Sequence, residues 1–194
     1  MADQIISKRA ISYNESKFLD AIKFNCYLFN IAKIYDDQCS HKGFINGYDV
    51  YMSANTGYGK SLCFQALPFV VDALENQCYG ISTLIVVSPL KALMEDQVRK
   101  MSDCGVSAVA LHDHVINLAE KIGTVQAGHY SLVYTSPECI LSKDIWRSLI
   151  SSHEFRDHCI GVAKSLMIQL MHAEVCIQKC VKPNNPEHGE QKGS

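Results

Sequence analysis

The fold follows from one stretch of sequence, Ala54-Asn55-Thr56-Gly57-Tyr58-Gly59-Lys60-Ser61. An extended apolar run over residues 49–52 leads into it, and a helical pattern over residues 62–67 follows it. Strand, glycine loop, Lys-Ser and helix are the layout of a phosphate-binding loop, in which backbone N–H groups and the positive end of the helix dipole face the phosphates. Lys60 is expected to contact the outer phosphates, and the Ser61 hydroxyl to ligate Mg²⁺.

This stretch departs from the usual pattern only at its first position, where Ala54 stands in place of glycine. The residues nearest the phosphates, from Gly57 to Ser61, are intact. The alternative is a glycine turn that precedes Lys-Ser by coincidence, and the flanking strand and helix argue against it. Residues 54–61 are therefore predicted to bind a nucleoside triphosphate.

Length and composition indicate a single folded domain. The chain has 194 residues, of which 47% are apolar and 20% are charged, as in globular rather than disordered proteins. The formal net charge of −2 gives no overall attraction to nucleic acid, so such binding must rely on local basic groups. The nine cysteines follow no framework of spacings, and no apolar leader or membrane-length apolar run is present. We therefore expect an intracellular protein with reduced thiols and no membrane association.

Extended runs alternate with helical patterns along most of the chain. This alternation predicts an α/β fold with a parallel sheet and right-handed crossovers. Ligands bind at the carboxyl ends of such strands, and that edge would hold the glycine loop, Ser88-Pro89 and Ser136-Pro137. Later strands are expected over residues 83–87, 106–111 and 131–135 and from residue 159, and helices over residues 16–34, 60–76 with a break near Pro68, 91–102, 115–122 and 142–152.

Three of these segments resemble motifs of the RecQ-type superfamily 2 DNA helicases. They occur in the family's order and at similar separations, and the resemblance covers about residues 38–163. It implies a partial RecA-like P-loop domain, the N-terminal part of the family's ATP-binding domain. The segments are Thr56-Gly57-Tyr58-Gly59-Lys60-Ser61-Leu62-Cys63-Phe64-Gln65 for motif I, Val87-Ser88-Pro89-Leu90-Lys91-Ala92-Leu93-Met94-Glu95-Asp96-Gln97-Val98 for motif Ia, and Leu132-Val133-Tyr134-Thr135-Ser136-Pro137-Glu138 for the next strand-end motif.

The resemblance also implies ligands and a partner. ATP with Mg²⁺ is expected at residues 54–61, with Gln38 reading the adenine edge; a solvated loop glutamine is the alternative. Single-stranded DNA is expected to be bound through its phosphate backbone, without sequence preference. The resemblance also favours a location in the nucleus. The alternative is that Ser88-Pro89 and Ser136-Pro137 only form the turns that end buried strands and do not contact DNA. The DNA-contacting residues implied are Ser88, Pro89, Leu90, Lys91, Ser136, Pro137 and Glu138.

The resemblance ends at about Ala163. In the family an Asp-Glu-Ala-His box follows the fifth strand and supplies the carboxylates that hold Mg²⁺ and activate water. Here Lys164-Ser165-Leu166-Met167-Ile168 follows instead, and no second RecA-like domain is recognisable. The expected organisation is an N-terminal helical segment (1–37), the partial helicase domain (38–163), an amphipathic helix (164–181) and a disordered tail (182–194).

Two interpretations of the function follow. The first is the ATP-binding portion of a RecQ-like 3′-to-5′ DNA helicase that binds ATP weakly and does not unwind DNA, with no catalytic residue identified beyond the charge-stabilising Lys60. The second is a non-catalytic module that binds nucleic acid or a protein partner. A small-molecule kinase would share the loop but would leave the Ser-Pro strand ends unexplained. The oligomeric state is not indicated by the sequence.

Overall fold

The computed structural model describes residues 10–32, 40–55, 59–112, 115–142, 144–168 and 172–179. Within these ranges the strands are β1 (Val50–Asn55), β2 (Thr83–Val87), β3 (Ala108–Leu111), β4 (Leu132–Thr135), β5 (Cys159–Ile168) and β6 (His172–Lys179). The helices are α1 (Glu15–Leu28), α2 (Ser40–Ile45), α3 (Lys60–Gln65), α4 (Leu67–Leu74), α5 (Lys91–Asp103), α6 (Leu118–Gln126), α7 (Pro137–Ser142), α8 (Asp144–Ser151) and α9 (His153–His158).

The described strands form one sheet in the order β1-β6-β5-β2-β4-β3. β5, β2, β4 and β3 are parallel to one another, so the predicted α/β fold with a parallel sheet is confirmed. β6 runs antiparallel to both of its neighbours, β1 and β5. β1 therefore points in the same direction as the parallel strands, and the chain leaves β1 at the edge where β2 and β4 also end.

β2 and β4 lie at the centre of the sheet, with helices on both sides. All of β4 and the first four residues of β2 are buried, as expected for apolar runs between two layers of helices. One face packs against α1, α4 and α5, and the other packs against α6, α8 and α9. The Trp146 side chain of α8 is fully buried on the second of these faces.

The predicted amphipathic helix over residues 164–181 is wrong. β5 continues to Ile168, and β6 returns beside it from His172 to Lys179. Single residues separate Ala173, Val175 and Ile177, which is the two-residue period of a strand, although short apolar runs also fit a helix. Pairing decides between the two, because β6 satisfies main-chain hydrogen-bonding groups of β1 that a helix would leave unpaired. The predicted tail, residues 182–194, lies outside the described residues.

The N-terminal helix α1 packs on α4. Its first turn is capped by Asn14, whose side chain accepts a hydrogen bond from the Lys17 backbone N–H at 2.7 Å. The Lys17 ammonium donates to the Leu74 carbonyl oxygen at 2.8 Å, at the end of α4. The Phe24 ring stacks on the Tyr79 ring, with 4.1 Å between centroids. The helix ends at Leu28, earlier than the predicted end at residue 34.

The helical stretch after the glycine loop breaks near the proline, as predicted. α3 ends at Gln65 and α4 begins at Leu67, with Pro68 in the first turn, where a missing N–H loses no helical hydrogen bond. Asp72 of α4 then fixes the return to β2, because its carboxylate accepts from the backbone N–H groups of Gly80 at 2.7 Å and Ser82 at 2.9 Å. Burial raises the pKa of this carboxyl above its ordinary value.

The later helices differ in detail from the expectations. The helix predicted over residues 115–122 is α6, which lies a few residues further along, and the one predicted over 142–152 is α8. α7 and α9 are short and were not predicted. Among the described helices, none combines the length and apolar character that crossing a membrane requires.

Candidate nucleotide-binding site

β1 and α3 hold the two ends of the predicted phosphate-binding loop. Ala54 and Asn55 are the last residues of β1, and Lys60 is the first residue of α3. Residues 56–58 lie outside the described part of the chain, so their predicted contacts stay predictions. Gly59, which precedes α3, has φ 80° and ψ 19°, a left-handed backbone that glycine adopts without steric cost. Glycine is thus the residue that fits without strain where the loop turns into the helix.

Lys60 and Ser61 occupy the first turn of α3. The Lys60 side chain is only 7% exposed, although lysine usually extends into water, and Ser61 is half-buried. The Leu62 backbone N–H donates to the Gly59 carbonyl oxygen at 3.0 Å and begins the helix. The two side chains predicted to contact phosphate and Mg²⁺ therefore follow directly on the left-handed glycine.

His41 of α2 is hydrogen-bonded to the backbone of α3. Its Nε2 lies 2.8 Å from the Cys63 carbonyl oxygen, and because a carbonyl only accepts, Nε2 carries the hydrogen and donates it. The ring is 1% exposed, and Nδ1 has no hydrogen-bond partner among the described residues. Burial lowers the pKa of His41 to about 4, so the ring is neutral at pH 7. Sequence reasoning missed this residue, because nothing in the segment before β1 indicated a buried histidine.

A hydrogen-bonded group joins the three helicase-like segments. Gln65 of α3 donates from Nε2 to the Gln97 side-chain oxygen at 2.5 Å and lies 3.3 Å from the Tyr134 hydroxyl oxygen. Burial raises the pKa of Tyr134 to about 12. All three residues belong to the helicase-like segments, but the sequence did not predict that their side chains are in contact. Gln97 and Tyr134 also line a small cavity of about 20 Å³, together with Ser61 and Ser88.

The ends of β2 and β4 adjoin, as expected for neighbouring parallel strands. The Ser88 backbone N–H donates to the Thr135 carbonyl oxygen at 2.9 Å. The Ser136 hydroxyl accepts from the Cys139 backbone N–H at 3.2 Å and so caps α7. Ser88 and Ser136 are 2% and 1% exposed, so both side chains are turned into the protein.

The surface of this edge is formed by the residues next to the two serines. Leu90 is 48% exposed, which is high for a leucine. Whether DNA contacts these positions stays a prediction. The other members of the predicted DNA contact are Pro89 and Glu138, which are exposed, and Lys91 and Pro137, which are half-buried.

The described residues fit the phosphate end of a nucleoside triphosphate. Gly59 forms the turn, and Lys60 provides a largely buried cation. Ser61 can provide one oxygen ligand for Mg²⁺, which takes its other ligands largely from phosphates and water. Within the described part of the chain, no group of three His, Cys, Asp or Glu residues is arranged to hold a metal ion. Gln38, the predicted adenine contact, lies outside that part.

Proteins similar to this chain are helicases. The profile of the DEAD/DEAH box helicase family matches residues 36–156. The ATP-dependent DNA helicase RecQ of Synechocystis is 40% identical over 96 residues, which is 48% of this chain and 18% of that protein. The ATP-dependent helicase SGS1 of Saccharomyces cerevisiae is 30% identical over 150 residues, 76% of this chain and 10% of that protein. The bifunctional 3′-5′ exonuclease/ATP-dependent helicase WRN of Mus musculus is 38% identical over 98 residues, 50% of this chain and 6% of that protein.

The match to the family profile coincides with the candidate site. Residues 36–156 contain the loop, α3 and the ends of β2 and β4, whereas β5 and β6 lie beyond them. The chain spans less than a fifth of the length of these three relatives, with 18% as the highest coverage.

Proposed function

The chain belongs to the DEAD/DEAH box helicase family, with a partial RecA-like fold of RecQ type, and on that basis we propose that residues 54–61 bind ATP with Mg²⁺. The observation that carries the proposal is the turn from β1 into α3. Gly59 has a left-handed backbone there, and Lys60 and Ser61 follow in the first helical turn. This is the arrangement that a phosphate-binding loop needs at its C-terminal end.

Each residue of the site has a role in the proposed complex. Lys60 stabilises negative charge on the outer phosphates, and water screens a largely buried ammonium group only weakly. Ser61 donates its oxygen to Mg²⁺, and backbone N–H groups of the loop bind phosphate oxygens. Gln38 reads the adenine edge. Bound Mg²⁺ supplies charge neutralisation between the phosphates.

We propose that this chain binds ATP but does not unwind DNA. Hydrolysis requires a carboxylate that holds the metal and an acidic group that orients the attacking water. In this sequence Ala163 is followed by Lys164 and Ser165, with no Asp-Glu pair. The 3′-to-5′ DNA unwinding of RecQ-like helicases is therefore not expected of this chain.

Single-stranded DNA is the proposed partner. The turn after β2 exposes Pro89 and Leu90, and Glu138 is exposed after the neighbouring β4. Backbone N–H groups at such turns bind phosphates without reading sequence. Fluorescence anisotropy should show binding to a mixed-sequence oligodeoxynucleotide that weakens with salt. Equal or tighter binding of the matching oligoribonucleotide would contradict a preference for DNA.

Titration with a fluorescent ATP analogue tests the nucleotide site. The Lys60→Ala variant should lose most of the binding signal, because it removes the cation that contacts the outer phosphates. Lys23→Ala is the matched control, since Lys23 is an exposed lysine of α1, and it should bind like the unmodified chain. A signal that does not depend on Lys60 would reject the ATP site and favour the non-catalytic module.

The lack of turnover needs a separate assay. Purified chain is incubated with ATP, Mg²⁺ and single-stranded DNA, and released phosphate is measured. We expect no phosphate release above that of the Lys60→Ala variant. DNA-stimulated release that Lys60→Ala abolishes would overturn the proposed inactivity while supporting the ATP site.

A further inference from the structure

The strand that leads into the phosphate-binding loop is joined to the sheet through β6. β1 lies at one end of the strand order, and all six of its residues pair with β6, from Val50 opposite Ile177 to Asn55 opposite His172. Among the described strands, β6 is the only partner of β1. β6 in turn pairs with β5 over residues 161–168, and β5 pairs with β2. The loop is thus connected to the parallel strands by way of residues 172–179.

β6 approaches β5 at a position where a side chain would not fit. A Cβ atom built on Gly161 would overlap the backbone oxygen of Gln178 in β6. It also lies 3.1 Å from the ring of Phe44, which is fully buried. Neither neighbour can give way easily, because one is backbone and the other is enclosed in the core. Glycine at position 161 is therefore what allows β6 to lie at pairing distance from β5.

Among the side chains that the structure describes, those packed around Trp146 lie on the parallel strands and on the later helices, not on β1 or β6. The residues of this second core cluster come from β2 to β5 and from the helices α6 to α9. The contacts of β6 with helices, in contrast, are mainly with α2 and α3, the helices on either side of β1 in the chain. Displacing β6 should therefore disturb the nucleotide site and leave the surroundings of Trp146 unchanged.

We propose that β6 positions β1 at the nucleotide site and that Gly161 is the positioning residue that lets β6 pair with β5. The proposal rests on the proposed binding of ATP at residues 54–61. When β6 is paired, β1 is held in place as far as Asn55, the residue from which the loop starts. When β6 is displaced, β1 loses its pairing, and ATP binding must first restore the position of β1, which lowers the affinity.

Gly161→Ala tests this proposal in the full chain. We expect the affinity for a fluorescent ATP analogue to fall about tenfold or more, because the binding geometry is no longer preformed. The emission maximum of Trp146, the single tryptophan, should stay unchanged in native buffer. A purely structural role would alter both signals together. Unchanged analogue affinity in Gly161→Ala would overturn the proposal.

Gly123→Ala is the matched control. Gly123 lies in α6, and a Cβ atom there meets no heavy atom within 4 Å. This variant should bind the analogue like the unmodified chain. A loss of affinity as large as that of Gly161→Ala would show that the effect does not depend on β6, and it would also overturn the proposal.

A cross-link tests the same pairing without disturbing it, should Gly161→Ala fail to fold. Tyr51 is 61% exposed and lies opposite Cys176 in the β1–β6 register. Tyr51→Cys should form a disulfide with Cys176, identified by peptide mapping, since directly opposite residues are within disulfide range. Tyr48→Cys, two residues before β1, is the control and should not link to Cys176.

The cross-linked protein should bind the ATP analogue at urea concentrations where its reduced form no longer binds. Absence of the 51–176 link, or equal urea sensitivity of the two forms, would overturn the role of β6. A link that forms in a chain without Lys60-dependent analogue binding would instead reject the proposed ATP site. The two failures are thus distinguishable.

Discussion

Gln65 of α3 donates a hydrogen bond to Tyr134 of β4, with 3.3 Å between Nε2 and the hydroxyl oxygen. The two residues belong to different helicase-like segments, and Gln97 of the third segment accepts from the same amide. The helix that carries Lys60 and Ser61 is thereby tied to both α5 and β4. The hydrogen bonds of Gln65 therefore join three helicase-like segments that lie far apart in sequence.

Tyr134→Phe should lower the free energy of unfolding by about 1 kcal/mol, because it removes one buried hydrogen bond while Gln65 keeps its bond to Gln97. Urea unfolding at pH 7, followed by Trp146 fluorescence, measures the change. Tyr79→Phe serves as the control, since Tyr79 is 51% exposed, and its stability should be unaltered. Equal effects of the two substitutions would contradict the contribution of the Tyr134 hydroxyl.

Replacement of Gly59 by alanine should weaken both stability and nucleotide binding. A left-handed backbone costs an alanine about 1 kcal/mol, so Gly59→Ala and Gly105→Ala, with φ of 80° and 72°, should lose similar stability. Only Gly59→Ala should also lose affinity for the ATP analogue, because Gly105 follows α5 and is remote in sequence from the loop. Titration of both variants beside urea unfolding separates the two effects, and a parallel loss of affinity in Gly105→Ala would count against this assignment.

His41 should make the protein less stable in mild acid. The unfolded chain takes up a proton at this ring near pH 6.5, whereas the folded chain does so only at about pH 4. Stability from the neutral ring is therefore complete above pH 6.5 and is lost as the pH falls towards 4. Between pH 7 and pH 5 the free energy of unfolding should fall by about 2 kcal/mol from this residue.

The comparison that isolates this effect is between the unmodified chain and His41→Phe, each unfolded in urea at pH 7 and pH 5. In His41→Phe the free energy of unfolding should no longer show this decrease between pH 7 and pH 5. The exposed control His129→Ala should still show it. Asp72 acts in the opposite direction, since its raised pKa favours the folded state as the pH falls, but it is common to all three proteins. An identical pH dependence in His41→Phe would disprove the prediction.

Asp72→Asn should destabilise the turn between α4 and β2. The carboxylate accepts from the backbone N–H groups of Gly80 and Ser82, and an amide has one acceptor oxygen in place of two. One buried N–H is left unpaired, which costs about 1–3 kcal/mol. Thermal unfolding should show a lower midpoint for Asp72→Asn and no change for Asp103→Asn, an exposed residue of α5. Similar midpoints for the two variants would disagree with this role of Asp72.

Much of the parallel sheet could be predicted because the local signals were strong. The run at residues 83–87 is apolar and β-branched over its whole length, and it became the buried strand β2. Pro68 marked the break between α3 and α4 for a steric reason that does not depend on the rest of the fold. Gly59 could likewise be assigned to a turn, although its left-handed backbone became known only from the structure.

The parts that sequence reasoning missed depend on contacts between distant segments. Residues 164–181 have apolar spacings that suit a helix or a strand, and the partner offered by β1 decides for the strand. His41 looked like any polar residue before a turn, and only the packing of α2 on α3 buries it. The meeting of Gln65, Gln97 and Tyr134 has the same origin, since no local pattern specifies which polar groups will pair.

The place of β6 in the sheet also has a consequence for biosynthesis. Val50 pairs with Ile177, a residue made 127 positions later, so β1 gains its neighbour only after that long segment has been made. β2, β3, β4 and the first part of β5 can assemble earlier, because they pair among themselves. Contacts of such long sequence separation form slowly. Among the described strands, β1 is therefore made first and paired last, so residues 54–61 stay unsupported by the sheet until residues 172–179 have been synthesised.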